Sequence, residues 1–144
     1  MHTIYKKKCH LGNVRISSSK LQFQNFGNLS LRINNELFVI KPTGVNLKKT
    51  KYQDYPIISL RGKKIKNKLK PSVDTDFHLE VYKKFDHINC IIHTHSKYAT
   101  IWAQACKSIP NVGTTHSDYW LGKIPVTSKL SKKQIQFNYE KNIG

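Results

Sequence analysis

The sequence predicts an α/β fold built on an antiparallel or mixed sheet. Segments with a strand pattern alternate along the chain with segments whose apolar residues recur at helical spacing. The first two predicted strands are separated by Asn34-Asn35, and asparagine tolerates the positive φ of a tight hairpin turn. Because hairpins join antiparallel strands, this argues against a doubly wound parallel sheet. The 144 residues are enough for a buried core, and we expect a single domain over 1–144.

Four segments are rich in β-branched and aromatic residues and are bounded by turn signals. The strands are predicted over residues 27–33, 37–40, 56–60 and 88–93. The last contains the apolar run Cys90-Ile91-Ile92, which predicts a buried strand. A shorter strand and turn is predicted over residues 112–116.

Helical spacing marks the remaining elements. Phe77, Val81 and Phe85 recur at i, i+4 and i+8, which predicts a helix with this apolar face turned to the core. A second apolar helix face is predicted from Tyr98, Ile101, Trp102 and Ala105.

Both ends of the chain carry weaker helix signals. In the first 25 residues, Leu11, Val14 and Leu21 suggest one face of a helix that is broken by the serines at 17–19. Near the other end, Ser131 and Gln134 form a capping-box pattern, so we expect a helix to begin there.

The charge is strongly basic, with 25 lysines and arginines against 8 acidic residues and a formal net charge of +17. Such an excess can mark a nucleic-acid-binding protein. Here the basic residues are scattered and nearly all lysine, in a chain also rich in Asn and Ile, as AT-biased coding would produce. We therefore favour a solvated basic surface, and nucleic acid is not the expected partner. A positive field would also favour an anionic sugar phosphate.

The densest basic run covers residues 63–70 and follows the turn signal Arg61-Gly62. Its partial alternation predicts one arm of a solvated hairpin.

Composition also bears on location. No stretch approaches the roughly 20 apolar residues of a membrane span. The lysines at 6–8 are not followed by an apolar segment, so no secretory signal is expected. Cys9, Cys90 and Cys106 are widely spaced, which predicts reduced thiols and a cytoplasmic protein.

The sequence His93-Thr94-His95 closes the fourth predicted strand. Residues two apart on a strand point to the same face, so the two imidazoles should leave it side by side. Imidazole suits zinc and similar first-row ions, although paired histidines are more often structural than metal-binding. A catalytic zinc site normally takes three protein ligands, so the pair leaves a third ligand to be found.

Three loops and two carboxylates stand out around this pair. Gly27-Asn28, Thr43-Gly44 and Ser72 offer hydroxyls, an amide and flexible backbone of the kind that surrounds a phosphate, although each alone is more often an ordinary turn. Asp74 is either a helix N-cap or a site carboxylate. Asp118, beside two aromatic residues, is either a partly desolvated general acid/base or a turn aspartate.

These segments, in this order and spacing, closely resemble the L-ribulose-5-phosphate 4-epimerase family of the class II aldolase superfamily, from about Asn13 to Gly144. The segments that carry the resemblance are Gly27-Asn28-Leu29-Ser30, 38–45 (FVIKPTGV), 70–75 (KPSVDT), 92–96 (IHTHS), 99–105 (ATIWAQA), 113–119 (GTTHSDY) and Ile124-Pro125. The resemblance implies a three-layer α/β/α fold around a mostly antiparallel sheet, incomplete at the C-terminus. It also implies a cyclic homotetramer with active sites between subunits.

The resemblance further implies a role for each candidate residue. His93 and His95 match zinc ligands, and Asp74 matches a carboxylate that is a ligand of the metal or its near neighbour; the cofactor is Zn²⁺ or another divalent metal. Asp118 matches an acid/base that reaches a neighbouring subunit's site. The positions matching those that hold the substrate phosphate are Gly27, Asn28, Thr43, Gly44, Ser72 and Val73, with Lys41 beside them to add charge. The implied reaction converts a pentulose phosphate, L-ribulose 5-phosphate, to D-xylulose 5-phosphate by retro-aldol cleavage and re-addition.

The chain departs from the family pattern in three respects. The family's third zinc histidine and its tyrosine acid/base fall beyond the point matching Gly144, and none of the other histidines lies where the ligand should be. We therefore expect little or no epimerase activity from the 144-residue chain, with apolar surface left uncovered. Val73 replaces a phosphate-binding hydroxyl.

Three alternatives stay open. A class II sugar-phosphate aldolase shares the pattern, but those enzymes carry Glu where this chain has Asp74. An inactive remnant of an epimerase is the second, and a basic nucleic-acid-binding protein, supported only by the charge, is the third.

Overall fold

The computed structural model describes residues 2–19, 21, 26–61, 65 and 67–144, and its centre is a four-stranded sheet. The strands are β1 (Asn28–Arg32), β2 (Leu37–Ile40), β3 (Ile57–Ser59) and β4 (Cys90–His93). They lie in the order β3-β2-β1-β4, and every neighbouring pair is antiparallel. The helices are α1 (Thr3–Ser18), α2 (Thr75–Lys84), α3 (Lys97–Gln104), α4 (Thr114–Tyr119), α5 (Lys132–Gln136) and α6 (Tyr139–Ile143), with a 3-10 turn over Tyr52–Asp54.

The β1–β2 hairpin forms where the sequence predicts it. The side-chain Oδ1 of Asn34 accepts hydrogen bonds from the backbone N–H groups of Glu36 and Leu37, both at 2.9 Å. This side-chain contact closes the turn, which sets Leu31 opposite Val39.

The sheet is covered on both faces, because side chains alternate across each strand. On one face Leu29 and Val39 pack with Cys9 and Ile16 of α1 and with Tyr55. On the other, Phe38, Ile40, Leu60 and Tyr82 of α2 form a second cluster. Helix, sheet and helix thus form three layers, which confirms the predicted α/β/α fold.

Helix α1 is continuous over Thr3–Ser18, so the predicted break is wrong. Its buried residues are Cys9, Asn13 and Ile16, whereas Leu11 is 56% exposed. The Asn13 amide explains this rotation: its Oδ1 accepts from the Leu29 N–H at 2.8 Å, and its Nδ2 donates to the Leu29 carbonyl at 3.0 Å. A buried polar side chain that binds the strand backbone has therefore set the face, and a count of apolar residues misses it.

Helix α2 also turns a partly polar face inward. Its buried residues are His78 and Tyr82, whereas Phe85, expected in the core, follows the helix and is 43% exposed. The buried Ser30 hydroxyl lies 2.7 Å from His78 Nδ1 and 2.8 Å from the Tyr82 hydroxyl. The strand presents a polar atom here, so α2 meets it with polar partners.

Strand β4 was predicted to be buried, and this is wrong. It pairs with β1 and forms an edge of the sheet, with Cys90 exposed and Ile92 56% exposed. The apolar face predicted for α3 is also exposed, since Tyr98 is 74% and Ile101 52% exposed. An apolar run predicts a buried strand only when a second layer covers it.

The C-terminal elements differ from expectation at one point. Residues 112–116, predicted as a strand and turn, instead lead into helix α4. The capping box is confirmed: Ser131 Oγ accepts from the Gln134 N–H, and the Gln134 side chain accepts from the Ser131 N–H. The hairpin arm predicted over residues 63–70 falls largely on 62–64 and 66, outside the described residues. Across the described ranges, no helix is long and apolar enough to cross a membrane.

Candidate functional site

Two loops meet at the end of the sheet and form one wall of the site. Pro42 and Pro71 face each other in an isolated antiparallel bridge. Beside it, the Ser72 N–H donates to the Lys41 carbonyl at 2.9 Å, and the Thr43 N–H donates to the Lys70 carbonyl at 3.0 Å. These hydrogen bonds hold residues 41–44 against residues 70–74.

The sheet register brings the third loop to the same place. Asn28, the first residue of β1, lies opposite His93, the last residue of β4. Gly27 precedes it with φ of 90°, and Gly44 has φ of 64°, conformations that other residues rarely adopt. Both glycines are therefore required by the backbone at the points where these loops turn.

The three loops surround a cavity of about 660 Å³. Its lining includes every residue predicted for phosphate or metal binding. The full lining is Phe26, Gly27, Asn28, Lys41, Thr43, Gly44, Ser72, Val73, Asp74, Phe77, His93, His95, Tyr139, Glu140 and Ile143. Residues from distant parts of the sequence thus converge on one concave surface, as in most small-molecule sites.

Asp74 occupies the N-cap position of α2, but its side chain does not cap the helix. The Asp74 carboxylate instead accepts a hydrogen bond from the Asn28 amide and pairs with His93 Nδ1 at 3.0 Å. Burial raises the pKa of Asp74, but the hydrogen bond and charge of His93, helped by Asn28, outweigh it and hold the pKa below its ordinary value. Asp74 is accordingly an ionised carboxylate directed into the cavity.

The two imidazoles lie side by side, with ring centroids 4.9 Å apart. His95 lies beyond the end of β4, where its N–H donates to the Leu21 carbonyl at 3.1 Å and its ring packs on Phe26 at 5.3 Å. Burial lowers the pKa of His95, and the neighbouring charge of His93 lowers it further. A neutral imidazole is the form that binds a metal.

The donor chemistry fits a divalent metal. His93, His95 and Asp74 offer two imidazoles and a carboxylate to one space, and the buried Oδ1 of Asn28 has no hydrogen-bond partner among the described residues. An orphaned acceptor beside a carboxylate is suited to a cation or to a hydroxyl donor. Within the described ranges, no three such side chains already form a metal cluster, because the Asp74–His93 hydrogen bond occupies these donors.

The opposite side of the cavity is suited to an anion. Lys41 is 6% exposed and Ser72 is also buried, and both line the space beside the Thr43 and Gly44 backbone. Burial lowers the pKa of Lys41, and the nearby Asp74 charge opposes that effect. Val73, where the family has a hydroxyl, is 67% exposed at the rim.

Comparisons with known proteins agree with this architecture. Residues 14–143 match the class II aldolase and adducin N-terminal domain. The chain belongs to this family.

Solved structures share the fold at low identity. An L-fuculose 1-phosphate aldolase matches with a TM-score of 0.80 at 21% identity, covering 96% of this chain and 66% of that one. YgbL of Klebsiella pneumoniae, described as a putative aldolase/epimerase/decarboxylase, matches with a TM-score of 0.77 at 22% identity over 99% of this chain and 70% of that one. The L-fuculose-1-phosphate aldolase of Thermus thermophilus gives 0.73 and 18%, over 97% and 71%. The chain therefore spans about two thirds of the length of these proteins.

In this class II aldolase family domain, Asp118 lies apart from the cavity. It is exposed on α4 and lines a separate shallow hollow with residues that include Asn111 and Ser117. Its neighbour Tyr119 is 86% exposed, so the expected partial desolvation of Asp118 is not present in the single chain. A role for Asp118 in a neighbouring subunit's site remains a prediction.

The sequence reasoning missed the part of the cavity that the C-terminal helix supplies. Tyr139, Glu140 and Ile143 of α6 complete the lining. Burial raises the pKa of Glu140, and the adjacent charge of Asp74 and a hydrogen bond with it add to this. The available signal was scarcity, because Glu140 is one of only 8 acidic residues in the chain.

Proposed function

We propose that this cavity binds a sugar phosphate and carries out metal-dependent aldol chemistry, with L-ribulose-5-phosphate 4-epimerase as the specific activity. The observation that supports this most is the convergence of two unlike half-sites on one cavity. A basic, hydroxyl-bearing half contains Lys41, Thr43 and Ser72, and an imidazole-carboxylate half contains Asp74 and the His93–His95 pair. A phosphorylated ketose has the matching polarity, with an anion at one end and chelating oxygens at the other.

Each half has a distinct task in the proposed reaction. The Thr43 and Ser72 hydroxyls and the ammonium of Lys41 hold the phosphate, which fixes the position of the fragment that carries it. A divalent ion, when bound by the imidazole-carboxylate half, supplies Lewis-acid stabilisation of the enediolate left by C3–C4 cleavage. Asn28 lies between the halves, where its buried amide orients Asp74.

Epimerisation also needs a proton donor and acceptor at the C4 oxygen, on each face of the aldehyde. By resemblance, Asp118 of a neighbouring subunit serves one face in a homotetramer. The exposed position of Asp118 is compatible with such a role, since it is available to a second copy.

A sugar-phosphate aldolase is the second candidate, supported by the structural likeness to L-fuculose 1-phosphate aldolases. The residue at position 74 favours the epimerase. Aspartate is shorter than the glutamate of the aldolases, and here it is engaged by His93 and Asn28.

The test follows the purified protein, with Zn²⁺ and L-ribulose 5-phosphate, by ³¹P NMR. We expect slow formation of D-xylulose 5-phosphate that is lost in His93→Gln and His95→Gln, because both imidazoles are needed to hold the metal. His87→Gln, an exposed histidine away from the cavity, is the matched control. Glycolaldehyde phosphate without the epimer would support the aldolase instead, and absence of both products would contradict catalysis by this chain.

A further inference from the structure

Helix α6 is held firmly enough to present a side chain to the cavity. Asn138 caps it by accepting from the Lys141 N–H at 3.2 Å. The Asn142 amide donates to the Gln134 carbonyl at 2.9 Å and to the Phe137 carbonyl at 2.7 Å, which ties α6 to α5. At its end, Gly144 approaches α2 so closely that an added Cβ would lie 2.8 Å from the Phe77 carbonyl oxygen.

This packing puts the Glu140 side chain into the imidazole-carboxylate half of the cavity. Glu140 is in contact with Asp74 through a hydrogen bond and lies within electrostatic reach of His93. Two carboxylates and two imidazoles from α6, α2, β4 and the loop after β4 therefore share one space.

Such a pair of carboxylates is unfavourable unless something positive lies between them. Two ionised carboxylates in contact repel, and burial increases the repulsion. The scattered lysines give the chain a net charge of +17, yet two of its 8 acidic residues meet here. A divalent cation between Asp74 and Glu140 would remove the repulsion and also satisfy the imidazoles.

We infer that Glu140 is a direct metal ligand, so that this chain binds a divalent first-row cation through His93, His95, Asp74 and Glu140. The inference rests on the metal-dependent function proposed above and answers its open question of a further ligand from within the chain. Mixed nitrogen and oxygen donors suit Zn²⁺, Co²⁺ and Mn²⁺. Binding requires the Asp74–His93 and Asp74–Glu140 hydrogen bonds to be exchanged for metal bonds, which side-chain rotations accomplish without moving a helix.

The experiment titrates the metal-free protein with Co²⁺, read by its visible absorption, and measures Zn²⁺ by competition. We expect Glu140→Gln to weaken binding by at least about 10- to 100-fold, the range found even for residues that only support a ligand. Glu80→Gln is the matched control, because Glu80 lies near the same helix end, pairs with Lys83 and does not line the cavity. It should bind as the unsubstituted protein does.

A second variant separates ligation from charge. Glu140→Asp keeps the negative charge but shortens its reach by one methylene, so a direct ligand predicts weakened binding in both variants. Loss in Glu140→Gln alone would show that the charge acts through space, which overturns the inference.

A third measurement excludes a merely structural role. Zn²⁺ should slow amide hydrogen exchange in Tyr139–Ile143 of the unsubstituted protein and not in Glu140→Gln, because only a ligated Glu140 anchors α6 to the metal. Circular dichroism and melting curves confirm that the variants fold.

Failure of this inference is distinct from failure of the proposed function. Unchanged metal binding in Glu140→Gln, with binding lost in His93→Gln, would overturn the inference and leave the proposed function intact. If the unsubstituted protein binds no metal, the inference also falls. The NMR assay with and without a chelator then decides the proposed function on its own.

Discussion

At the scale of single residues, the least expected group in the core is His78. It is fully buried between α2 and β1, where the Ser30 hydroxyl meets its Nδ1. Its Nε2 has no hydrogen-bond partner among the described residues. Burial lowers the pKa of His78 to about 4, with the charge of Asp74 opposing the shift and that of His93 adding to it. His78 is therefore a neutral core residue at physiological pH.

His78 makes the stability of the fold depend on pH. Between pH 6.5, the ordinary value, and pH 4, the unfolded chain binds a proton on His78 that the folded chain does not. The free energy of unfolding should therefore fall by about 3 kcal/mol as the pH drops through this window, and His78 should contribute no further change on either side of it.

Urea unfolding at pH values from 4 to 7.5 measures this effect. His78→Gln should flatten the pH dependence, whereas His87→Gln, at an exposed position, should leave it unchanged. An equally steep fall in His78→Gln would assign the pH dependence to other groups.

The site residues show how far residue patterns reach. Asn28, Thr43, Ser72, Asp74 and the His93–His95 pair were found from local chemistry, because each lies in a loop whose backbone or polar atoms are unusual. Glu140 was not found, since only tertiary packing of α6 on α2 brings it to the cavity.

At the scale of elements, Arg32 joins β1 to the end of α2. Its Nη2 donates to the carbonyls of Tyr82 at 2.7 Å and Phe85 at 3.0 Å, and its Nε donates to the Ile88 carbonyl at 2.8 Å. Its guanidinium also lies 4.7 Å from the centre of the Tyr82 ring. One planar cation thus satisfies the carbonyls that a helix end leaves free.

Arg32→Lys should destabilise the protein by about 2 kcal/mol, because a single ammonium cannot reproduce the fork and leaves buried carbonyls unsatisfied. Urea unfolding at pH 7 measures the change. Arg15→Lys, at an exposed position in the last turn of α1, serves as the control and should change stability little. Equal effects of the two substitutions would contradict this role for Arg32.

Elements with their own local signals were predictable. The Asn34 turn and the Ser131 capping box each satisfy backbone groups within a few residues, so the sequence carries the whole cause. The exposure of β4 and the rotation of α1 were not predictable in this way. They depend on which layer covers a strand and on the buried amide of Asn13, and neither has a local signature.

At the scale of the whole molecule, the charge is the dominant feature. A net charge of +17 on 144 residues opposes compaction, because few acidic partners are available to offset it. The ion pairs of Arg61 with Glu36 and of Lys83 with Glu80 involve side chains that are largely solvent-accessible and so offset little of this repulsion.

Raising NaCl from 20 to 300 mM should therefore raise the melting temperature, because salt screens repulsion between charges farther apart than about 10 Å at 0.1 M. Differential scanning calorimetry at pH 7.5 measures the shift. A melting temperature that stays constant or falls over this range would show that repulsion between the lysines does not limit stability.

The bridge between Pro42 and Pro71 bears on the fate of reaction intermediates. Both prolines fix φ, and hydrogen bonds on either side hold the loops together before any ligand arrives. In the proposed reaction, cleavage leaves two fragments in the cavity, and one must turn over before the bond re-forms. A rigid cradle that grips only the phosphate allows that turn and delays departure. The kinetic partition between re-addition and escape would then depend on the phosphate loops more than on the residues at the reacting carbons.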